Sequence, residues 1–271
     1  MENCRVISVA LNKGGVGKST TCINLGVALA NQGHKVLMVD QDPQGHLAAC
    51  LGLDAGTLKY TIANLMYACM DGFPIKDEGI LIQISDNLDL LPSNKKLTTV
   101  GDRLLFAKTR EQEDEDAPPS EEVLKKVLDG YRDKYDYIII DCQPNVSILT
   151  RNALVASDSV ILPVETHYLA YEGLKETLDV IALVKRHFNP DLEIEGILLT
   201  KYQSRTNLCC GIRDMVETQY SKDIHIFSEP VAYSIKAAEQ SVNGTSIFEL
   251  DAKSSIAKAY LSLAQEVAGN A

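Results

Sequence analysis

The sequence predicts an α/β protein with a doubly wound, mainly parallel sheet and helices on both faces. Three observations carry this. Short runs rich in β-branched and apolar residues recur at 4–12, 35–40, 88–93, 135–144, 158–164 and 192–202. Stretches with apolar residues at helical spacing lie between them, and strands alternating with helices give parallel strands joined by right-handed crossovers. The chain has 271 residues, 45% hydrophobic and 23% charged, which suits one large domain over 1–271 with a substantial core. No internal repeat or domain linker is visible.

The first unit is the clearest. Residues 4–12 (CRVISVALN) form an apolar run that ends at a glycine-rich loop. Residues 18–32 carry Cys22, Leu25 and Leu29 at helical spacing, with Gly33 as the C-terminal stop. Residues 35–40 (KVLMVD) read as the next strand, which completes a βαβ unit. Thr61 is placed to cap a helix reaching Met70. The run 135–144 (YDYIIIDCQP) reads as the most strongly buried strand. A long amphipathic helix is expected over 169–188 and a last one over 254–267, where Ile256, Tyr260, Leu263 and Val267 fall on one core-packing face.

Residues 110–122 (REQEDEDAPPSEE) break the rhythm. Dense in acids, with Pro118 and Pro119 together, they predict an exposed acidic loop. Ser120 is expected to cap the helix that follows, with Glu121 and Glu122 in its first turn.

The chemistry concentrates at KGGVGKSTT, 13–21. A glycine-rich loop between a strand and a helix turns backbone N–H groups toward an anion, and the helix dipole adds to the attraction. Gly14, Gly15 and Gly17 allow the backbone to curl around phosphates, with Val16 and Thr20 in the same loop. Lys18 is placed to reach the β- and γ-phosphates and Ser19 to ligate Mg²⁺. The strict phosphate-loop pattern has a glycine where this chain has Asn12. Asp141 closes a buried strand and is placed for the metal. Asp40 and Asp42, in VDQDPQG (39–45), follow the second strand at the same sheet edge, and an aspartate there can orient or deprotonate an attacking water. The expected ligands are ATP and Mg²⁺ on a P-loop NTPase fold.

Other features narrow the field. Seven cysteines are scattered with neither disulfide nor zinc spacing, and five histidines show no metal-ligand pattern. The adjacent Cys209 and Cys210 are poor cluster ligands, which argues against an iron–sulfur electron-transfer ATPase. No run of about 18 apolar residues is present, and the N-terminal residues lack secretory-signal character, so a cytoplasmic protein is expected. The net charge of −11 argues against a protein that coats DNA strongly.

Three segments together, KGGVGKSTT, VDQDPQG and YIIIDCQP, resemble the ParA/Soj partition ATPases of the deviant Walker A group, which also holds MinD. Residues 149–174 and 191–208 are similar to that family along most of their length. The resemblance implies a role for each matching residue. Lys13 is the signature lysine that reaches across a dimer to the partner's ATP; Lys18 is the ordinary P-loop lysine. Ser19, Asp40 and Asp141 belong to the metal site, Asp42 helps activate water, and Lys201 and Pro230 match segments that flank the base. The resemblance further implies an ATP-dependent homodimer, a weak ATPase activity, a ParB-like partner and nonspecific DNA binding on the nucleoid, with Arg205 and Lys236 as candidate DNA contacts. Because the loop begins at Lys13, the short Soj-like type is expected, without an N-terminal helix-turn-helix extension. A MinD-like positioning ATPase is the alternative; its basic membrane helix has no counterpart in the tail sequence.

Two departures stand out. Gln143 replaces a proline after the Walker B acid. Val231 and Ser234 stand where arginines are expected. Between residues 185 and 240 seven Lys/Arg face eight Asp/Glu, so no basic stripe is visible.

Overall fold

A computed structural model of the chain describes residues 4–107, 119–235, 237, 239 and 244–269. Its centre is one seven-stranded sheet, with β1 Arg5–Val9, β2 Val36–Gln41, β3 Ile82–Ser85, β4 Leu88–Leu91, β5 Tyr137–Cys142, β6 Ser159–Glu165 and β7 Glu193–Thr200. The strand order is β3-β4-β2-β5-β1-β6-β7. All pairings are parallel except β3 with β4, which form an antiparallel edge. β3 alternates half-buried and exposed residues, the pattern of an edge strand and not of a buried parallel one.

Period-two alternation along the central strands sends their side chains to two cores. Leu37, Val39, Ile138, Ile140 and Leu162 enter one, with α3 Ile62–Met70, α4 Lys96–Ala107, α5 Val123–Asp129, α6 Ile148–Ala156 and α7 Tyr168–His187. Ile7, Val9, Met38, Ile139 and Ile161 enter the other, beneath α1 Lys18–Asn31 and the helix Ser255–Val267. Each fully buried aliphatic side chain contributes about 1.5–3 kcal/mol, and the two layers explain why the central strands read as continuous apolar runs. The doubly wound α/β expectation therefore holds. In helix Ser255–Val267, Ile256, Tyr260, Leu263 and Val267 are all buried, so its apolar face is spent on the core.

The segment at 110–122 needs correction. Residues 110–118 lie outside the described residues, but Ser120 and Glu121 are buried rather than exposed. The helix starts at Val123, and Ser120 does not stand at its N-cap position. Asn152 of α6 does that work: its Oδ1 accepts from the Leu124 N–H at 3.1 Å and its Nδ2 donates to the Ser120 carbonyl at 2.8 Å. A distant amide thus satisfies the helix start that the local serine was expected to cap.

β5 lies between β1 and β2, and its register sets Asp141 beside both Val9 and Asp40. The loops leaving these three strands therefore emerge at one sheet edge, the usual ligand position in an open α/β sheet.

Candidate functional site

The loop after β1 is built for an anion. Gly17, in the left-handed region at φ 92°, is the N-cap of a 14-residue helix and supplies no side-chain cap. The opening N–H groups of α1 are left for a ligand. Val16 is buried under the loop, and its carbonyl accepts from Thr200 Oγ1 at 2.8 Å. Lys18 is buried too; its Nζ donates to the Lys13 carbonyl at 2.8 Å. Burial lowers the Lys18 pKa, with the charge of Asp141 opposing that shift.

The start of the loop is seated on α7. The Asn12 N–H donates to Thr177 Oγ1 at 2.9 Å, and Thr177 Oγ1 donates to the Gly173 carbonyl at 2.7 Å. A Cβ on Gly173 would stand 2.9 Å from the Asn12 carbonyl oxygen, so only glycine allows this approach. Asn12 itself has no positive φ; Lys201 is the one described non-glycine residue that does. Nothing in the backbone therefore requires glycine at Asn12, whose Nδ2 instead donates to Glu176 Oε2 at 2.5 Å.

Three carboxylates gather behind the loop with different surroundings. Both oxygens of the fully buried Asp40 are engaged, accepting from the N–H groups of Asp42 and Leu47 at 3.0 Å each. Asp40 thereby shapes the turn into α2 His46–Cys50. Asp42 accepts from the Gln44 N–H at 2.9 Å through Oδ1 and contacts His46 Nδ1 at 3.2 Å through Oδ2. The Ser19 side chain lies close enough to Asp141 to favour its ionised form, and Asp141 Oδ1 is buried with no hydrogen-bond partner among the described residues.

Electrostatics follow from this crowding. Burial pushes the Asp141 carboxyl up to about 6, opposed by Ser19 and Lys18. Burial, then the neighbouring Asp141 charge, pushes Asp40 well above the carboxylate range. Adjacent buried carboxyls with one open oxygen, beside the Ser19 hydroxyl, fit a hard divalent cation, which would relieve their repulsion. Ser19 and Asp141 are the side chains that would hold it.

A cavity of about 490 Å³ opens over the loop. Gly14, Gly15, Gly17, Lys18, Ser19 and Thr20 line one side, with Asp42, His46 and Pro144 beside them. Lys201, Val231, Ala232 and Tyr233 form the far wall. The Val231 and Tyr202 N–H groups donate to Leu199 and Val231 carbonyls at 2.8 and 3.0 Å, which fixes this wall to the end of β7. Lys201 takes φ 51° and pairs with Glu165 at 3.3 Å. Pro230 is half-buried one residue ahead of the wall and does not line the cavity. Arg205 is exposed in the turn before α8 Asn207–Tyr220, away from the cavity lining. Lys236 lies outside the described residues. Val231 is buried in the core and Gln143 donates to Ser147 Oγ, the cap of α6. Thr200, Gly173 and His46 were not singled out by the sequence; their partners lie elsewhere in the chain or in a turn that reads as ordinary.

A glycine loop on an open parallel sheet, with a buried lysine and paired carboxylates at its edge, defines a P-loop nucleotide-binding protein. Residues 4–194 match the family described as AAA domain. The chain is 38% identical over 267 residues to the sporulation initiation inhibitor protein Soj of Bacillus subtilis, covering 98% of this chain and 99% of that protein. It is 36% identical over 265 residues to the chromosome partitioning protein ParA of Myxococcus xanthus, covering 97% and 87%. A solved structure described as cobyrinic acid a,c-diamide synthase from Mycobacterium smegmatis, with bound ADP and magnesium, superposes with a TM-score of 0.79 at 31% identity, covering 97% and 93%. The septum site-determining protein MinD of Pyrococcus horikoshii shares the fold, with a TM-score of 0.73 at 24% identity over 97% and 96%. The chain belongs to the ParA/MinD superfamily of P-loop ATPases.

Proposed function

We propose that this chain is a Mg²⁺-dependent partition ATPase. ATP joins two copies into a homodimer, the dimer binds DNA without sequence preference, and a ParB-like centromere-binding partner stimulates slow hydrolysis during DNA segregation. The observation that carries this reading is the division of labour between two lysines. Lys18 is folded into its own loop, while the Lys13 side chain makes no hydrogen bond or ion pair among the described residues. A cation at the start of the phosphate loop, unused by its own chain, suits a second phosphate group brought by another copy. Full-length similarity to Soj and ParA supports the same reading.

Within each site the loop N–H groups and Lys18 bind the phosphates. Asp42 orients the attacking water and accepts its proton. Magnesium, when bound, supplies charge neutralisation at the phosphate oxygens. Loss of the γ-phosphate removes what Lys13 holds, so hydrolysis releases the pair. A lipid-surface role gains no support from helix Ser255–Val267, whose apolar face is buried.

The test is binding of the chain to nonspecific duplex DNA with ATP, ADP or no nucleotide across a salt series. ATP-dependent, steeply salt-sensitive binding supports partition. Absence of binding at low salt, with retention on liposomes, contradicts it and favours a MinD-like role.

A further inference from the structure

His46 is the first residue of α2 and lines the same cavity as Lys18 and Asp42. Its Nδ1 stands 3.2 Å from Asp42 Oδ2. The turn that carries it is pinned from several sides. Asp40 Oδ2 accepts from Leu47 N–H, and Asp42 Oδ1 accepts from Gln44 N–H. Gly45, at φ 67°, packs so closely that a Cβ would come within 2.6 Å of Ala55 Cβ. The His46 ring is thus delivered to the carboxylate by a fixed backbone, although its side chain is 56% exposed.

An ionised carboxylate only accepts hydrogen bonds, so the shared hydrogen sits on Nδ1. Asp42 is then held at both oxygens, by Gln44 at Oδ1 and by His46 at Oδ2. Each oxygen keeps a further lone pair for water. A carboxylate held by Gln44 alone still rotates about its terminal torsion, which is broad, and lost orientation of a reacting group costs rate rather than affinity.

We propose that His46 is a positioning residue for Asp42, donating through Nδ1 to hold the carboxylate in the plane from which it acts on water. This rests on the reading of Asp42 as the water-activating acid. Four variants of the full chain separate the two ideas: His46→Ala, His46→Asn, His46→Gln and Asp42→Ala. Steady-state Mg-ATP hydrolysis gives kcat and KM, and equilibrium titration with a fluorescent ATP analogue gives nucleotide affinity.

His46→Ala is expected to lower kcat about tenfold, the size of one hydrogen bond to a charged group. KM and analogue affinity should stay within about twofold. His46→Asn should recover most of the lost kcat, because its amide nitrogen takes the place of Nδ1, whereas His46→Gln should not. The proposal is overturned if His46→Ala turns over like the parent while Asp42→Ala is inactive. It is equally overturned if Asn is as slow as Ala, or if the loss is in nucleotide affinity. Parent-like turnover by Asp42→Ala would overturn the reading of Asp42 itself, and this proposal with it.

Discussion

Lys18 donates from Nζ to the backbone carbonyl of Lys13 at 2.8 Å. The two lysines of the loop are therefore not duplicates. One is buried and closes the loop on itself; the other has its backbone held by that bond and by the neighbouring Asn12 contact to α7. Its own side chain is half-exposed and uncommitted among the described residues. A rigid backbone carrying an unspent cation is a preorganised arrangement, which lowers the cost of meeting a charge from outside.

Asp141 makes the unliganded protein sensitive to pH. Burial pushes its carboxyl up to about 6 in the fold, against 3.8 for an ordinary aspartate. Between these two values the folded state holds a proton that the unfolded state has lost. Stability from this group is full below the ordinary value and is lost as pH rises through about 6. Asp141→Asn removes the buried charge and should stabilise the nucleotide-free protein by about 1–3 kcal/mol near pH 7.5. The gain should shrink toward pH 5. With Mg-ATP the order should reverse, because the variant has lost the negative charge that would help hold the metal. Urea melts at both pH values, with and without Mg-ATP, check this.

Thr200 ties the loop to the far end of the sheet through the Val16 carbonyl. Thr200→Val keeps the shape and deletes the hydroxyl, leaving a buried acceptor unpaired at a cost of about 1–3 kcal/mol. The expected outcome is weaker nucleotide binding, by about threefold to tenfold, in a protein that still folds. Titration with ADP measures it.

Arg205 is exposed near the start of α8 and belongs to no ion pair among the described residues. If it contacts phosphate, Arg205→Ala should weaken DNA binding uniformly across sequences and reduce the salt slope by about one. ATP turnover without DNA should be unchanged. Affinity measured at several salt concentrations on two unrelated duplexes checks both parts.

The legible parts of the site were those fixed by local chemistry. The glycines at 14, 15 and 17, Lys18 and Ser19 sit where a strand meets a helix, and Asp141 ends the most apolar strand. These features need no knowledge of distant packing. Thr200 and Gly173 act on the loop from β7 and α7, and such contacts leave no trace in spacing. Ser120 looked like a cap because serine usually is one; Asn152, far along the chain, took that role. β3 was missed because a short, half-exposed edge strand has little apolar signal. His46 carried none: only the folded turn brings its ring to Asp42.

We propose that each site borrows Lys13 from another copy. Two variants test it by complementation. Lys13→Ala should bind ATP through Lys18 and the glycines but hydrolyse it poorly, and Asp42→Ala should bind ATP and not turn it over. Mixed in equal amounts, half of the dimers pair one of each. In these, the Asp42→Ala copy lends its lysine to a site with an intact Asp42. ATP hydrolysis by the mixture should rise to about a quarter of the parent rate, since one site in four is complete. A mixture no faster than the mean of its two components, or a Lys13→Ala protein that hydrolyses ATP like the parent, would contradict the account.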